Sequence, residues 1–134
     1  MTTRASGPFE VKLVPLEPYN KAEGAMLGRF SIDKEFHGDL EATSKGEMLS
    51  AGTAVKGSAG YVAIELVTGT LGGRKGTFVL LHTGMMTRGV PQLSVTVVPD
   101  SGTGELVGLS GTMMINIVDK KHSYDFDYTL TEPA

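Results

Sequence analysis

Cysteine is absent from the 134 residues. That excludes disulfides, thiolate zinc sites and cysteine nucleophiles together, and it fits a cytoplasmic protein. Long apolar runs are missing too: nothing approaches the ~18 residues of a membrane helix, and the start, Met1-Thr-Thr-Arg-Ala-Ser-Gly-Pro8, does not read as an export signal. Charge of one sign is scarce. The net charge is −3 with acidic and basic residues well mixed, so the broad electropositive face of a nucleic-acid binder is not expected. The basic pairs Arg74-Lys75 and Lys120-Lys121 each fall between strand-like runs, where they read as solvated hairpin tips. No segment carries the period of an amphipathic helix of three turns, and Pro18 to Ala25 holds one short turn at most.

What the chain does have is 18 glycines, nearly twice the usual ~7 %, among many Val, Ile, Thr, Phe and Tyr residues. The apolar period is two. Met26, Gly28, Phe30, Ile32 and Phe36 alternate with Leu27, Arg29, Ser31, Asp33 and Glu35, which turns the even positions toward a core. Carried through Gly38, Leu40 and Ala42, that parity leaves His37 facing solvent. Runs bounded by turn residues predict strands near 9–14, 26–36, 39–44, 47–52, 61–71, 76–83, 93–98, 105–117 and 122–130. With 39–44 and its neighbours merging into one bent strand and a shorter one, the count is about eight. Short strands at such spacing build a sandwich or a barrel. The whole chain, 1–134, reads as a single domain whose residues 1–8 are frayed.

Two hairpins place side chains opposite one another. A symmetric turn centred between Gly73 and Arg74 sets Thr70 opposite Thr77 and Glu65 opposite His82. Tyr61, Ala63, Val67, Phe78 and Leu80 share that face. A carboxylate beside an imidazole favours the imidazolium and holds one tautomer, so Glu65 and His82 are the catalytic candidates. A turn at Asp119-Lys120 pairs Ile117 with His122, Ile115 with Tyr124, Met113 with Phe126 and Gly111 with Tyr128, leaving the reverse face polar apart from Met114. Gly111 leaves room there for a large ring. The candidate ligand-binding set is therefore Tyr61, Glu65, Phe78, His82, His122, Tyr124 and Tyr128, each of which has a core or rim role as its plainer alternative.

Three stretches resemble a known family: Gly60-Tyr-Val-Ala-Ile-Glu-Leu-Val-Thr-Gly-Thr-Leu-Gly-Gly-Arg-Lys-Gly-Thr-Phe-Val-Leu-Leu-His82, Val97-Val-Pro-Asp-Ser-Gly-Thr-Gly-Glu-Leu106 and His122-Ser-Tyr-Asp-Phe-Asp-Tyr128. Gly38-Asp-Leu-Glu-Ala-Thr-Ser-Lys-Gly-Glu-Met-Leu49 fits as well. On these residues the chain resembles the domain-of-unknown-function family 3224 (DUF3224) from about Ala25 to Leu130. The resemblance implies an all-β fold, a single antiparallel barrel of about eight strands similar to the allene oxide cyclase and calycin barrels. It implies no activity, and no catalytic motif of the cyclases can be matched here. The Gly-x-Trp signature of lipocalins is absent, because the chain has no Trp.

Other motifs carry less. Asp100-Ser-Gly-Thr-Gly-Glu105 lacks the Lys-Ser/Thr of a phosphate loop and reads as a turn at one barrel mouth, whose N–H groups could receive an anion. The histidines follow no ligand spacing, so neither metal nor other cofactor is expected. Met85 and Met86 open a stretch of roughly nine residues, through Arg88-Gly-Val-Pro91, that could cover an opening as a lid. The leading functional expectation is a binding module for a small, mostly apolar molecule. The alternatives are an isomerase or cyclase with Glu65–His82 proton transfer and a packed, ligand-free barrel that acts through its outer surface or by self-association as a homo-oligomer.

Overall fold

The computed structural model describes residues 2–24 and 26–131, so Ala25, the end of the expected short turn, lies outside the described residues; a turn is seen at Glu23 and Gly24. Eight antiparallel strands follow one another around a closed barrel in chain order: β1 (Thr3–Leu16), β2 (Leu27–Phe36), β3 (Leu40–Gly52), β4 (Ala59–Leu71), β5 (Arg74–Thr87), β6 (Val90–Val97), β7 (Leu109–Val118) and β8 (Lys121–Leu130). The all-β barrel of eight strands expected from the sequence is present.

Closure rests on β1, which changes partner halfway: Thr3 to Phe9 pair with β8 and Phe9 to Leu16 with β2. The first residues are therefore not frayed from Thr3 onward, because they cover an edge of β8 that would otherwise stand unpaired. The expected strands 39–44 and 47–52 are one strand, β3, through which Gly46 passes without a break. Two other boundaries move. Gly104 to Leu106 form a 3-10 turn, so β7 begins at Leu109 and not at 105. Met85 and Met86 lie within β5, and a two-residue turn at Arg88-Gly89 leads straight into β6, so no lid exists there.

The register of β7 with β8 is the expected one at every pair from Ser110–Thr129 to Ile117–His122. Gly111 does oppose Tyr128, but its missing Cβ makes way for the Asp127–Tyr128 backbone and the edge of Phe126, not for the tyrosine ring. The register of β4 with β5 is two residues off. Leu71 pairs with Arg74, Thr68 with Thr77, Glu65 with Leu80 and Ala63 with His82. The cause is the turn itself: Gly72 and Gly73 both take positive φ, 55° and 84°, and make a two-residue hairpin one position earlier than a turn centred on Gly73-Arg74. A shift of two keeps every side chain on its face.

The barrel interior is filled at one end. Phe126 lies between Phe78 and Tyr128 at ring distances of 5.8 and 5.3 Å, and Phe36 meets Tyr124 edge-on at 5.6 Å. Leu40, Leu71, Leu80 and Leu106 complete this packed end, each with no exposed surface. Between β6 and β7 only Thr96 and Thr112 pair, and the segment from 98 to 108 repairs the gap. Its Thr103 N–H donates to the Thr77 carbonyl, its Ser101 hydroxyl accepts from the Val79 N–H, and Leu106 plugs the barrel end. The N–H groups of Ser101, Thr103 and Leu106 are spent in this way, which removes them as anion receptors.

Candidate functional site

Midway along the barrel, above the aromatic layer, four polar side chains are buried among apolar ones: Lys34 on β2, Ser44 on β3, Glu65 on β4 and His82 on β5. All four occupy inward positions of strands whose inward neighbours are apolar, such as Ile32 and Phe36 beside Lys34. Glu65 organises them. Its Oε2 accepts a hydrogen bond from Lys34 Nζ at 2.8 Å, and its Oε1 accepts one from the Ser44 hydroxyl, also at 2.8 Å. His82 Nε2 lies 2.6 Å from Glu65 Oε2. The ring N–H direction misses that oxygen, however, so Nε2 is close to the carboxylate and still has no directed hydrogen-bond partner among the described residues.

Burial is the largest influence on the Glu65 carboxyl and pushes its pKa up. Against it, the adjacent His82 and Lys34 together prevail and hold the group down at about 2. The Lys34 ammonium also stands over two rings, 5.3 Å from the centre of Phe9 and 5.8 Å from that of Phe36. Its other two protons have no hydrogen-bond acceptor among the described residues.

Above this group the barrel is hollow. A cavity of about 200 Å³ has Val11, Ile32, Met48, Ala63, Leu93 and Ile115 in its walls, Lys34 and His82 at its floor, and Tyr61 and His122 beside them. Burial, and after it the charge of Glu65, push the Tyr61 phenol above its ordinary pKa, so it stays protonated and able to donate. The Tyr61 ring lies across Gly84, where an added Cβ would come within 2.3 Å of it. His122 packs on Phe9 at 5.2 Å between ring centres.

The expected site residues thus divide. Glu65 and His82 meet as expected, but diagonally across β4 and β5 and not in direct opposition. Tyr61, His82 and His122 line the cavity, and Glu65 lies beneath it. Phe78, Tyr124 and Tyr128 belong to the packed end. The Tyr124 hydroxyl accepts from the Leu40 N–H at 2.9 Å and donates to the His37 carbonyl at 2.7 Å, so it ties the β2–β3 turn to β8. His37 faces outward as expected, near Glu10 and Glu41. With Glu35, His37 and Glu10 form an exposed group whose donor atoms lie within 4.8 Å of one another, and no further feature there points to an ion.

Lys34 and Ser44 were missed from the sequence. Both sit on the even parity that marks the inside of β2 and β3, but lysine and serine are ordinarily surface residues, and parity alone carried the signal. A larger concavity of about 670 Å³ crosses β2 to β6 on the outward face of the barrel. Its walls, Leu27, Leu49, Val62 and Met85 among them, hold no Asp, Glu, Lys, Arg or His, so the site chemistry lies inside the barrel.

Fold and site define a class: a small antiparallel barrel, packed solid at one end and hollow at the other, with a buried ion pair between the two. The family model described as "Protein of unknown function (DUF3224)" matches residues 5–128, and the chain belongs to that family. The crystal structure of a protein of unknown function from the DUF3224 family of Shewanella oneidensis MR-1 is 56 % identical, covers 100 % of both chains and superposes with a TM-score of 0.94. No curated protein matches the chain. No helix among the described residues is long and apolar enough to cross a membrane.

Proposed function

We propose that the chain is a binding module that takes a small, mostly apolar molecule into the open half of its barrel. The observation that carries this reading is the cavity of about 200 Å³ with apolar walls and with Lys34 and His82 at its floor. A few polar groups at the end of an apolar cavity are the usual means of orienting a ligand, and an apolar cavity of about 150 Å³ is already enough for benzene. The strand count and the plain meander order support the likeness to allene oxide cyclase and calycin barrels, and the lack of cysteine fits a reducing, cytoplasmic setting. Catalysis by Glu65–His82 proton transfer is the weaker reading, because Glu65 already accepts from Lys34 and Ser44 and has no exposed surface.

Native mass spectrometry of the protein purified from its own cells tests the proposal. A small-molecule adduct is expected, lost on denaturation and lost in Ala63→Leu, which fills the cavity. An adduct unchanged in Ala63→Leu overturns the assignment to this cavity, as does a protein that arrives empty and takes up no apolar probe.

One observation favours a second reading, self-association. The outward face of β3 to β5 shows Leu49, Val62, Ile64, Leu66 and Met85 at 47 to 61 % exposure, in adjoining register positions. The same mass spectrum reads subunit number, and a monomer at micromolar concentration removes this reading.

A further inference from the structure

The polar floor of the cavity narrows the class of ligand, on the basis of the binding reading above. Lys34 and Tyr61 have protons to give there: two Lys34 N–H donors have no acceptor among the described residues, and Tyr61 carries a hydroxyl at the cavity wall, whereas His82 Nε2 stands 2.6 Å from Glu65 Oε2 and lies against that carboxylate. Among the described residues, the one carboxylate in contact with these groups is Glu65, fully buried beneath them and already engaged on both oxygens. The strongest donor at the floor, the Lys34 ammonium, therefore keeps protons on the ligand side with no carboxylate there to take them.

Charge sets a second condition. Lys34 and Glu65 are a buried pair, side chains 6 % and 0 % exposed, and they balance each other. A ligand carboxylate would bring a second negative charge into this apolar surrounding, where His82 and His122 are charged only if protonated and no second lysine or arginine lines the cavity, and an unpaired buried charge is costly unless a proton accompanies it. A protonated ligand amine would face the Lys34 ammonium, a like charge. An uncharged acceptor oxygen meets neither obstacle.

We infer that the ligand is a small, uncharged, mostly apolar molecule ending in a carbonyl oxygen, which accepts hydrogen bonds from Lys34 and its neighbours at the cavity floor. Its apolar body lies against Ile32, Ala63, Leu93 and Ile115, and its oxygen points at the Lys34 ammonium. The Lys34–Glu65 pair holds the donor in place, with the rings of Phe9 and Phe36 behind it.

Three probes of nearly equal size separate the possibilities on the unmodified protein: acetophenone, ethylbenzene and benzoate, titrated at pH 7 by calorimetry or by protein NMR. Acetophenone is expected to bind about tenfold more tightly than either of the others, the equivalent of one hydrogen bond from a charged donor. Ethylbenzene binding as tightly as acetophenone overturns the carbonyl contact and leaves the apolar cavity standing. Benzoate binding most tightly overturns the uncharged head in favour of an anion. Binding of none of the three overturns the cavity reading itself. The double variant Lys34→Met/Glu65→Gln, which removes both charges together, is expected to bring acetophenone and ethylbenzene to within about twofold of each other; a preference kept in full by a folded double variant overturns the role of Lys34.

Discussion

The closed half of the barrel and the open half are built from the same eight strands, yet one is solid and the other hollow. The closed half receives large rings from several strands at one level: Phe36, Phe78, Tyr124, Phe126 and Tyr128. In the open half the strands contribute Ile32, Ala63 and Ile115 beside Met48, Tyr61 and His122, and a cavity of about 200 Å³ remains among them. An eight-stranded barrel is just wide enough for either outcome, so side-chain size in each layer decides between core and cavity. The polar layer of Lys34, Ser44, Glu65 and His82 sits at that boundary, where one side is protein and the other is space.

The comparison breaks most directly by truncation. Phe126→Ala in the closed half should cost about 3–5 kcal/mol, because the surrounding rings cannot collapse into the gap, whereas Ile117→Ala at the open rim should cost less than about 1 kcal/mol. Equal costs in urea unfolding would mean that the two halves are not packed differently. At the boundary, Glu65→Gln strands a buried ammonium and should cost about 3 kcal/mol or more, most of it recovered in Lys34→Met/Glu65→Gln. The acid side of the same pair has a definite sign. The folded carboxyl titrates at about 2 against an ordinary 4.5, so its stabilisation is complete above about 4.5 and is lost as pH falls toward 2. The double variant should lack that part of the acid loss, and unfolding curves across this range that coincide for the two proteins would remove Glu65 as its source. A small effect of the opposite sign is expected at the mouth of the open half. Asp119 and Lys120 hold φ of 51° and 65° without being glycine, so Lys120→Gly should stabilise the β7–β8 turn by about 1 kcal/mol, read as a rise in melting temperature with no change in ligand uptake.

The legibility of these features followed the chemistry of the turns. Asp119-Lys120 admits one symmetric centre between its flanking strands, and the β7–β8 register follows from it pair by pair. Gly72, Gly73 and Gly76 around Arg74-Lys75 admit more than one centre, and the favoured two-residue turn is a choice the glycines permit without announcing. The contact of Glu65 with His82 survives that two-residue error because a diagonal neighbour on the same face is within reach of a long side chain. Lys34 could be read only from parity, against its ordinary preference for water. The place of Tyr124 in a structural hydrogen bond and not in the cavity could not be read at all, since the Leu40 N–H and the His37 carbonyl approach it from 84 and 87 residues away.

Alternation of apolar and polar residues, glycine at the turns and the lack of helical period determined the strands, their inward faces and an all-β class, because these are local consequences of backbone geometry and water. Tertiary structure alone decided that Lys34 meets Glu65 from two strands away around the barrel wall, and that the interior empties above that pair. Both depend on how far side chains from opposite walls extend toward each other, and no single strand carries that distance.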